Sequence, residues 1–183
     1  MSVLARPLTY DDLQDMPQDG QRYEIIDGEL IVTTAAVPKH QIVSHRLAVA
    51  CDRGIVEPGI GQVFEAPLDV RLSAHDTVQP DLLAIRRERL HIVGEKSIEG
   101  APDLVVEILS PSTRGYDQVR KAALYTRSGV PEFWIVDPDR RRVTVFALAN
   151  GRYEEVPQEA GRVRSIVFPE LTVELDWLFA GLG

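Results

Sequence analysis

The chain is poor in cysteine, poor in lysine, lacks long apolar runs and carries no excess of positive charge. Cys51 is its single cysteine, so there is no intrachain disulfide framework. At 183 residues none is needed, because a chain of this size buries roughly 70% of the surface its unfolded form exposes. The helix-like neighbours of Cys51 make it a small buried apolar residue. No apolar run approaches the roughly 18 residues of a membrane span, and the N-terminal MSVLARPLTYDDLQDMP lacks the apolar stretch of a secretion signal. The expectation is a cytoplasmic protein with no membrane partner.

Twenty basic residues against 28 acidic ones leave a net charge of −8. That balance argues against a high-affinity coat for nucleic acid and against an anionic membrane surface. Only Lys39, Lys96 and Lys121 are lysines and every other basic residue is an arginine, so each lysine singles itself out. With 44% apolar and 26% charged residues, 13 glycines and 12 prolines, the composition is globular rather than disordered or fibrous. One domain spanning residues 1–183 is expected, with no internal repeat or linker.

The pattern predicts a mixed α/β chain. Thr9 before Tyr10-Asp11-Asp12-Leu13 reads as the cap of a short helix. Tyr23 to Ile26 and Glu29 to Val32, joined by Asp27-Gly28, read as a hairpin. From Pro38 to about Arg53 the apolar spacing is helical and stops at Gly54. Extended runs follow at Gln62–Glu65, Leu68–Leu72 and Val78–Ile85, then a connection over 86–102 with one helical turn, then a strand from Asp103 to Leu109. A second long helix covers about Tyr116 to Ser128 and ends at Gly129. Strands at Glu132–Val136 and Arg142–Ala147 and a hairpin at Asn150-Gly151 lead into a tail whose Leu175, Trp177, Leu178 and Phe179 form core or interface. A helix between two strand runs favours some parallel pairing, with helices covering the sheet.

Two acids stand where burial is expected. Asp81 follows Pro80 and precedes Leu82-Leu83-Ala84-Ile85. Glu107 interrupts Leu104-Val105-Val106-Glu107-Ile108-Leu109, a strand apolar on both faces. A carboxylate there must be neutral, paired or bound to a cation; taken alone, pairing with one of the arginines explains it equally well. Ser110-Pro111-Ser112-Thr113-Arg114 leaves that strand with hydroxyls, a guanidinium and a helix start, which suits an anion or simply caps the helix. Asp117, Lys121 and Tyr125 recur at intervals of four and share one face. That face is either solvated or, given Ala122 and Tyr125 beside Lys121, brings the amine to the helix–sheet boundary.

Pro80-Asp81, the strand Asp103 to Glu107, the turn Leu109 to Thr113, Asp117-x-x-x-Lys121-x-x-x-Tyr125 and Gly129 to Asp137 together resemble the Uma-type putative restriction endonuclease family of the PD-(D/E)XK nuclease superfamily. Tyr23 to Leu30 and His40 fit the same pattern, so the likeness covers about residues 9–148. The resemblance implies a restriction-endonuclease-like mixed sheet with flanking helices. Its core, over about 23–148, runs helix, three strands, helix, strand, with an N-terminal hairpin and C-terminal hairpins added. It implies Asp81 and Glu107 as ligands of Mg2+, or Mn2+ in its place, with the Ile108 carbonyl as a further ligand and Glu24 completing the shell. It departs from the superfamily at Leu109, where a strand lysine usually stands, and Lys121 is the candidate replacement. His40, Ser112, Thr113 and Arg114 are the candidate substrate contacts.

The function so implied is magnesium-dependent hydrolysis of DNA phosphodiester bonds, with weak affinity for plain duplex and contacts resting on arginines such as Arg86, Arg87, Arg89, Arg114 and Arg120. A homodimer, with the tail near Trp177 as contact, would bring two centres to two strands. The alternatives are a nuclease-like fold kept as a catalytically inactive binding or assembly module, and a phosphodiesterase acting on RNA or another phosphate ester.

Overall fold

The computed structural model describes residues 6–17, 19–33, 37–110 and 116–182, the side chains of Tyr116 and Asp117 excepted. Helix α1 (Tyr10–Leu13) is closed at its entry by Asp12, whose Oδ2 accepts from the Thr9 N–H at 2.8 Å and the Thr9 hydroxyl at 3.0 Å. The expected hairpin follows as β1 (Arg22–Ile26) and β2 (Glu29–Thr33). Asp27 (φ 55°) and Gly28 (φ 74°) both take positive φ, the two-residue turn geometry that matches the twist of a hairpin and that Asp-Gly tolerates.

Helix α2 (Pro38–Cys51) starts with its proline in the first turn, where no N–H is missed. Gly54 does not stop it, contrary to expectation: the chain continues through a π-helical turn over Asp52–Val56. Gly54 is there for space, since a Cβ would lie 2.6 Å from the Cα of Leu171.

After β3 (Gly61–Glu65) and β4 (Asp69–Ser73), the run expected as one strand from Val78 to Ile85 divides into β5 (Asp76–Val78) and β6 (Leu82–Arg86). Pro80 has no N–H for a ladder, and Gln79-Pro80-Asp81 carries the chain from one sheet to another. The connection over 86–102 holds a 3-10 helix, Arg87–Ile92, and a short strand that sequence did not foretell, β7 (Ser97–Glu99). Then come β8 (Leu104–Ile108), α3 (Tyr116–Arg127), β9 (Glu132–Asp137), β10 (Arg142–Ala149), β11 (Arg152–Glu155), β12 (Arg162–Arg164), β13 (Thr172–Glu174) and α4 (Leu175–Leu178).

The larger sheet has the order β11-β10-β9-β8-β6-β3, and the smaller one β2-β1-β5-β4-β7. In the larger sheet β8 and β9 pair in parallel, with α3 as their crossover, and the other pairings are antiparallel. Chain order through that sheet is α2, then β3, β6 and β8, then α3 and β9. This is the expected mixed α/β core; β4, β5 and β7 leave it to join the N-terminal hairpin.

Alternation along the strands gives the larger sheet two buried faces. Leu82, Ala84, Leu104, Val106 and Ile108 pack against Val43 and Leu47 of α2 and against Phe168, Leu171 and Phe179 of the tail. Leu83, Ile85, Val105 and Phe133 face the other way, towards Leu124 and Tyr125 of α3 and Ile26, Val70 and Val78 of the smaller sheet. Of the C-terminal apolar cluster, Leu178 and Phe179 are core while Trp177 is 40% exposed. The tail is pinned by Glu132, fully buried, whose Oε1 accepts from the Trp134 indole at 2.6 Å. Its Oε2 accepts from the Ser165 hydroxyl at 2.7 Å and from the N–H groups of Ile166 and Val167 at 3.0 and 2.8 Å. No helix among the described residues is long and apolar enough to cross a membrane.

Candidate active site

Strand register brings the two acids together. β6 pairs with β8 so that Leu83 lies opposite Val105 and Leu82 opposite Val106. One further step along the same register sets Asp81 opposite Glu107. The tie is visible as the Ile108 N–H donating to Asp81 Oδ2 at 2.8 Å. Asp81 therefore sits at the end of the ladder, just where Pro80 interrupts it, and Glu107 shares the Val105 face of β8, which is turned to α3 and the smaller sheet.

From α3, Lys121 and Tyr125 reach that face from successive turns. Lys121 Nζ lies 3.1 and 3.3 Å from the two carboxylate oxygens of Glu107, and the Tyr125 hydroxyl donates to Glu107 Oε1 at 2.6 Å. From the smaller sheet comes Glu24 of β1, fully buried. Its Oε1 accepts from the Gln79 N–H at 2.7 Å and stands 2.9 Å from Lys121 Nζ. Glu24 Oε2 is buried with no hydrogen-bond partner among the described residues.

Arg22, two positions before Glu24 and on the same strand face, places Nη1 at 3.0 Å from both Asp81 Oδ1 and the Gln79 carbonyl. His40, in the first turns of α2, completes the ring with Nε2 at 3.1 Å from Asp81 Oδ2. Gln79 thus serves two acids with its backbone: its N–H holds Glu24, and its carbonyl holds the arginine that holds Asp81.

The charges divide the two acids. Burial works against ionisation of Asp81, but the hydrogen bond from His40, the charge of Arg22 and the Ile108 N–H outweigh it and hold the carboxyl down to about 2. Burial also acts on Glu107, only partly offset by Lys121; with Asp81 and Glu24 as like-charged neighbours, its carboxyl is pushed up to about 7. Lys121 is buried too, which on its own would release its proton, yet Glu107 and Glu24 raise its pKa and keep it an ammonium ion. The Tyr125 phenol is raised by burial and by Glu107. Arg22 is raised by Asp81, Glu107 and Glu24 despite its own burial.

Among the described residues no three His, Cys, Asp or Glu side chains form a ready-made metal cage. Magnesium does not ask for one, since it keeps several waters and takes one or two carboxylates. The donor set fits a hard divalent cation: all three acids present oxygen, and one buried oxygen, Glu24 Oε2, has no hydrogen-bond partner among the described residues.

The structure therefore gathers Asp81, Glu107, Lys121 and Glu24 with His40 in one place. Several expectations change in detail. Ile108 contributes its N–H, which fixes Asp81 at 2.8 Å. The His40 ring, expected as a phosphate contact, has its Nε2 3.1 Å from Asp81 Oδ2. Arg86 closes β6 at the end opposite Asp81, about 17 Å away at strand rise. Arg89 there is spent on Asp103 at 2.8 Å and on the Ala101 carbonyl at 2.9 Å, so the group Arg86, Arg87 and Arg89 does not flank the acids. Arg120 is tied to Glu29 and the Ile26 carbonyl. Ser112, Thr113 and Arg114 lie outside the described residues, as does the side chain of Asp117. Arg22 and Gln79 were missed by the sequence reading. Strand alternation was the available signal for Arg22, because any residue two from Glu24 points the same way; nothing local marks Gln79, whose part is played by its backbone.

A family model, Uma2, described as a putative restriction endonuclease, matches residues 10–177. The chain belongs to the Uma2 family. The crystal structure of a putative nuclease belonging to DUF820 from Anabaena variabilis superposes on this Uma2 chain with a TM-score of 0.78, covering 94% of it and 98% of that protein. At 22% identity that likeness establishes a shared fold, a nuclease-like one. No curated protein matches the chain. Membership of Uma2 supports nuclease activity. In this Uma2 chain Leu109 stands two places after Glu107, and the ammonium nearest that acid comes from α3.

Proposed function

We propose that the chain is a magnesium-dependent endonuclease that hydrolyses DNA phosphodiester bonds. The observation that carries this reading is the meeting of three carboxyl side chains from separate parts of the chain, Glu24 and Glu107 on the buried Lys121 and Asp81 on Arg22 and His40. Burying like charges together costs several kcal/mol, and a fold tolerates it where cations, its own or a bound one, offset them.

Asp81 and Glu107 would hold the cation, with waters between it and Glu24 Oε2, and Mn2+ would serve in place of Mg2+. Bound there, such an ion polarises a phosphate oxygen and makes water a better nucleophile. The chain supplies the remaining parts. His40 and the Ile108 N–H fix the Asp81 carboxylate from two sides. Tyr125 fixes one oxygen of Glu107 and limits its rotation. Lys121, shared between Glu24 and Glu107, keeps an ammonium beside the acids, in the role that a strand lysine would fill: orienting the attacking water or offsetting charge that develops on the phosphoryl oxygens. With a net charge of −8, affinity for plain duplex is weak and cleavage depends on local contacts. A homodimer joined through the exposed side of Trp177 would present two such centres.

One observation favours a second reading. Lys121 and Arg22 already pair with all three acids, so the site is close to internally neutral and would hold together as an inactive binding or assembly module. Incubation of wild-type protein with Mg2+ and three substrates, supercoiled DNA, a single-stranded RNA and an aryl phosphodiester, decides between them. Cutting of DNA ahead of the other two is the expected result. Cutting of RNA or the aryl ester alone moves the chemistry to another ester, and no turnover of any of the three leaves the module.

A further inference from the structure

Arg22 bonds the site in an unusual way. One nitrogen, Nη1, makes both of its hydrogen bonds, to Asp81 Oδ1 and to the Gln79 carbonyl, each at 3.0 Å. Nε and Nη2 make none among the described residues, and 24% of the side chain is exposed, against 3% for Asp81. A guanidinium placed only to neutralise a buried aspartate is expected to offer it a two-nitrogen fork, which is the stronger arrangement. Here the fork is split, with one prong on the protein and Nε and Nη2 unpaired among the described residues. The Gln79 carbonyl holds the group in place independently of Asp81. Among the described residues at the acids, Arg22 is also the cation left over once Lys121 is assigned, because the Lys121 side chain is 8% exposed and is paired with both Glu24 and Glu107.

We propose that Arg22 is the substrate-phosphate contact of this site, holding Asp81 through Nη1 while Nε and Nη2 donate to a phosphate oxygen of the DNA strand. The inference rests on the endonuclease reading and adds to it a residue that neither the family likeness nor the arginine distribution in sequence had singled out. It also gives a chain with a net charge of −8 a local point of attraction for a polyanion, the Arg22 guanidinium beside Asp81.

The assay is binding, not turnover. Fluorescence anisotropy of a labelled 20-base-pair duplex in Ca2+, at several salt concentrations, is combined with calorimetry of Mn2+ binding without DNA. The proteins are wild type, Arg22→Met and Arg22→Lys, with Asp81→Asn as control. If Arg22 contacts phosphate, Arg22→Met weakens duplex binding about tenfold or more and lowers the salt slope by about 1, while Mn2+ affinity is unchanged or tighter. Arg22→Lys keeps the charge without the fork and falls between the two. Should Arg22 act only by positioning Asp81, Mn2+ and duplex affinity fall together, and the proposal is overturned. Duplex affinity and salt slope equal to wild type in Arg22→Met overturn it as well. Failure of the parent reading looks different: wild type itself then binds no Mn2+, or binds it equally well with Asp81→Asn.

Discussion

Replacing Lys121 with methionine removes a charge while keeping most of the volume of the stem, and the structure sets the size of the effect. The ammonium is 2.9 Å from Glu24 Oε1 and 3.1 Å from Glu107 Oε1, and the residue is 6% exposed, so solvent screens it little. Removing one partner of such a buried pair costs about 3–5 kcal/mol, because the remaining charge is stranded. The stranded groups can escape by taking up a proton. Glu107, already pushed up to about 7 with Lys121 present, moves higher without it. The folded variant then binds a proton that the unfolded chain, with an ordinary glutamate value of 4.5, has released. Stability must fall with rising pH wherever the native state holds the extra proton, so the deficit of the variant grows from pH 5 to pH 8. Urea unfolding followed by circular dichroism in metal-free buffer should show a loss of about 3–5 kcal/mol at pH 8 and a distinctly smaller one at pH 5. In thermal melts the loss at pH 8 corresponds to roughly 6–20 °C for a chain of this length. A deficit below about 1 kcal/mol at pH 8 is what a solvated surface pair gives, and it would refute the buried cluster.

Other outcomes follow from the same contacts. In wild type, the raised carboxyl of Glu107 makes stability decline between pH 4.5 and about 7, by up to about 3 kcal/mol, and Glu107→Gln should flatten that part of the profile in denaturant titrations run at each pH. Asp81 has the opposite sign: its stabilising contribution is present above pH 3.8 and is lost only as pH falls towards about 2, so Asp81→Asn changes little of the slope above pH 5. Glu132→Gln sets an amide NH2, itself a donor, against donors that now share a carboxylate, and should cost about 2–4 kcal/mol with faster hydrogen exchange at Ile166 and Val167; unchanged exchange there would show that the tail is held by other means.

Much of this centre is written locally. Asp27-Gly28 announces a hairpin because few other pairs accept positive φ twice, and Glu107 announces a site because a lone acid in an apolar strand demands a partner. Pro80 marks the break in the ladder beside Asp81. What lay beyond reach depends on the third dimension. That β4, β5 and β7 desert the main sheet is a matter of which edge offers hydrogen bonds, and their composition is no different from that of β3 or β6. Gly54 looked like a helix stop because its closest neighbour, Leu171, is over a hundred positions away in sequence. The basic triplet Arg86, Arg87 and Arg89 looked near Asp81 in sequence but a full strand separates them, whereas Arg22, far away in sequence, touches it.

The most direct measurement is the Mg2+-dependent rate of plasmid cleavage by wild type beside Asp81→Asn and Glu107→Gln, each first shown to be folded by near-ultraviolet circular dichroism. The account predicts cleavage that chelation abolishes and that each substitution lowers by about a hundredfold or more. Cleavage at the wild-type rate by either folded variant, or a rate indifferent to chelation, would contradict it.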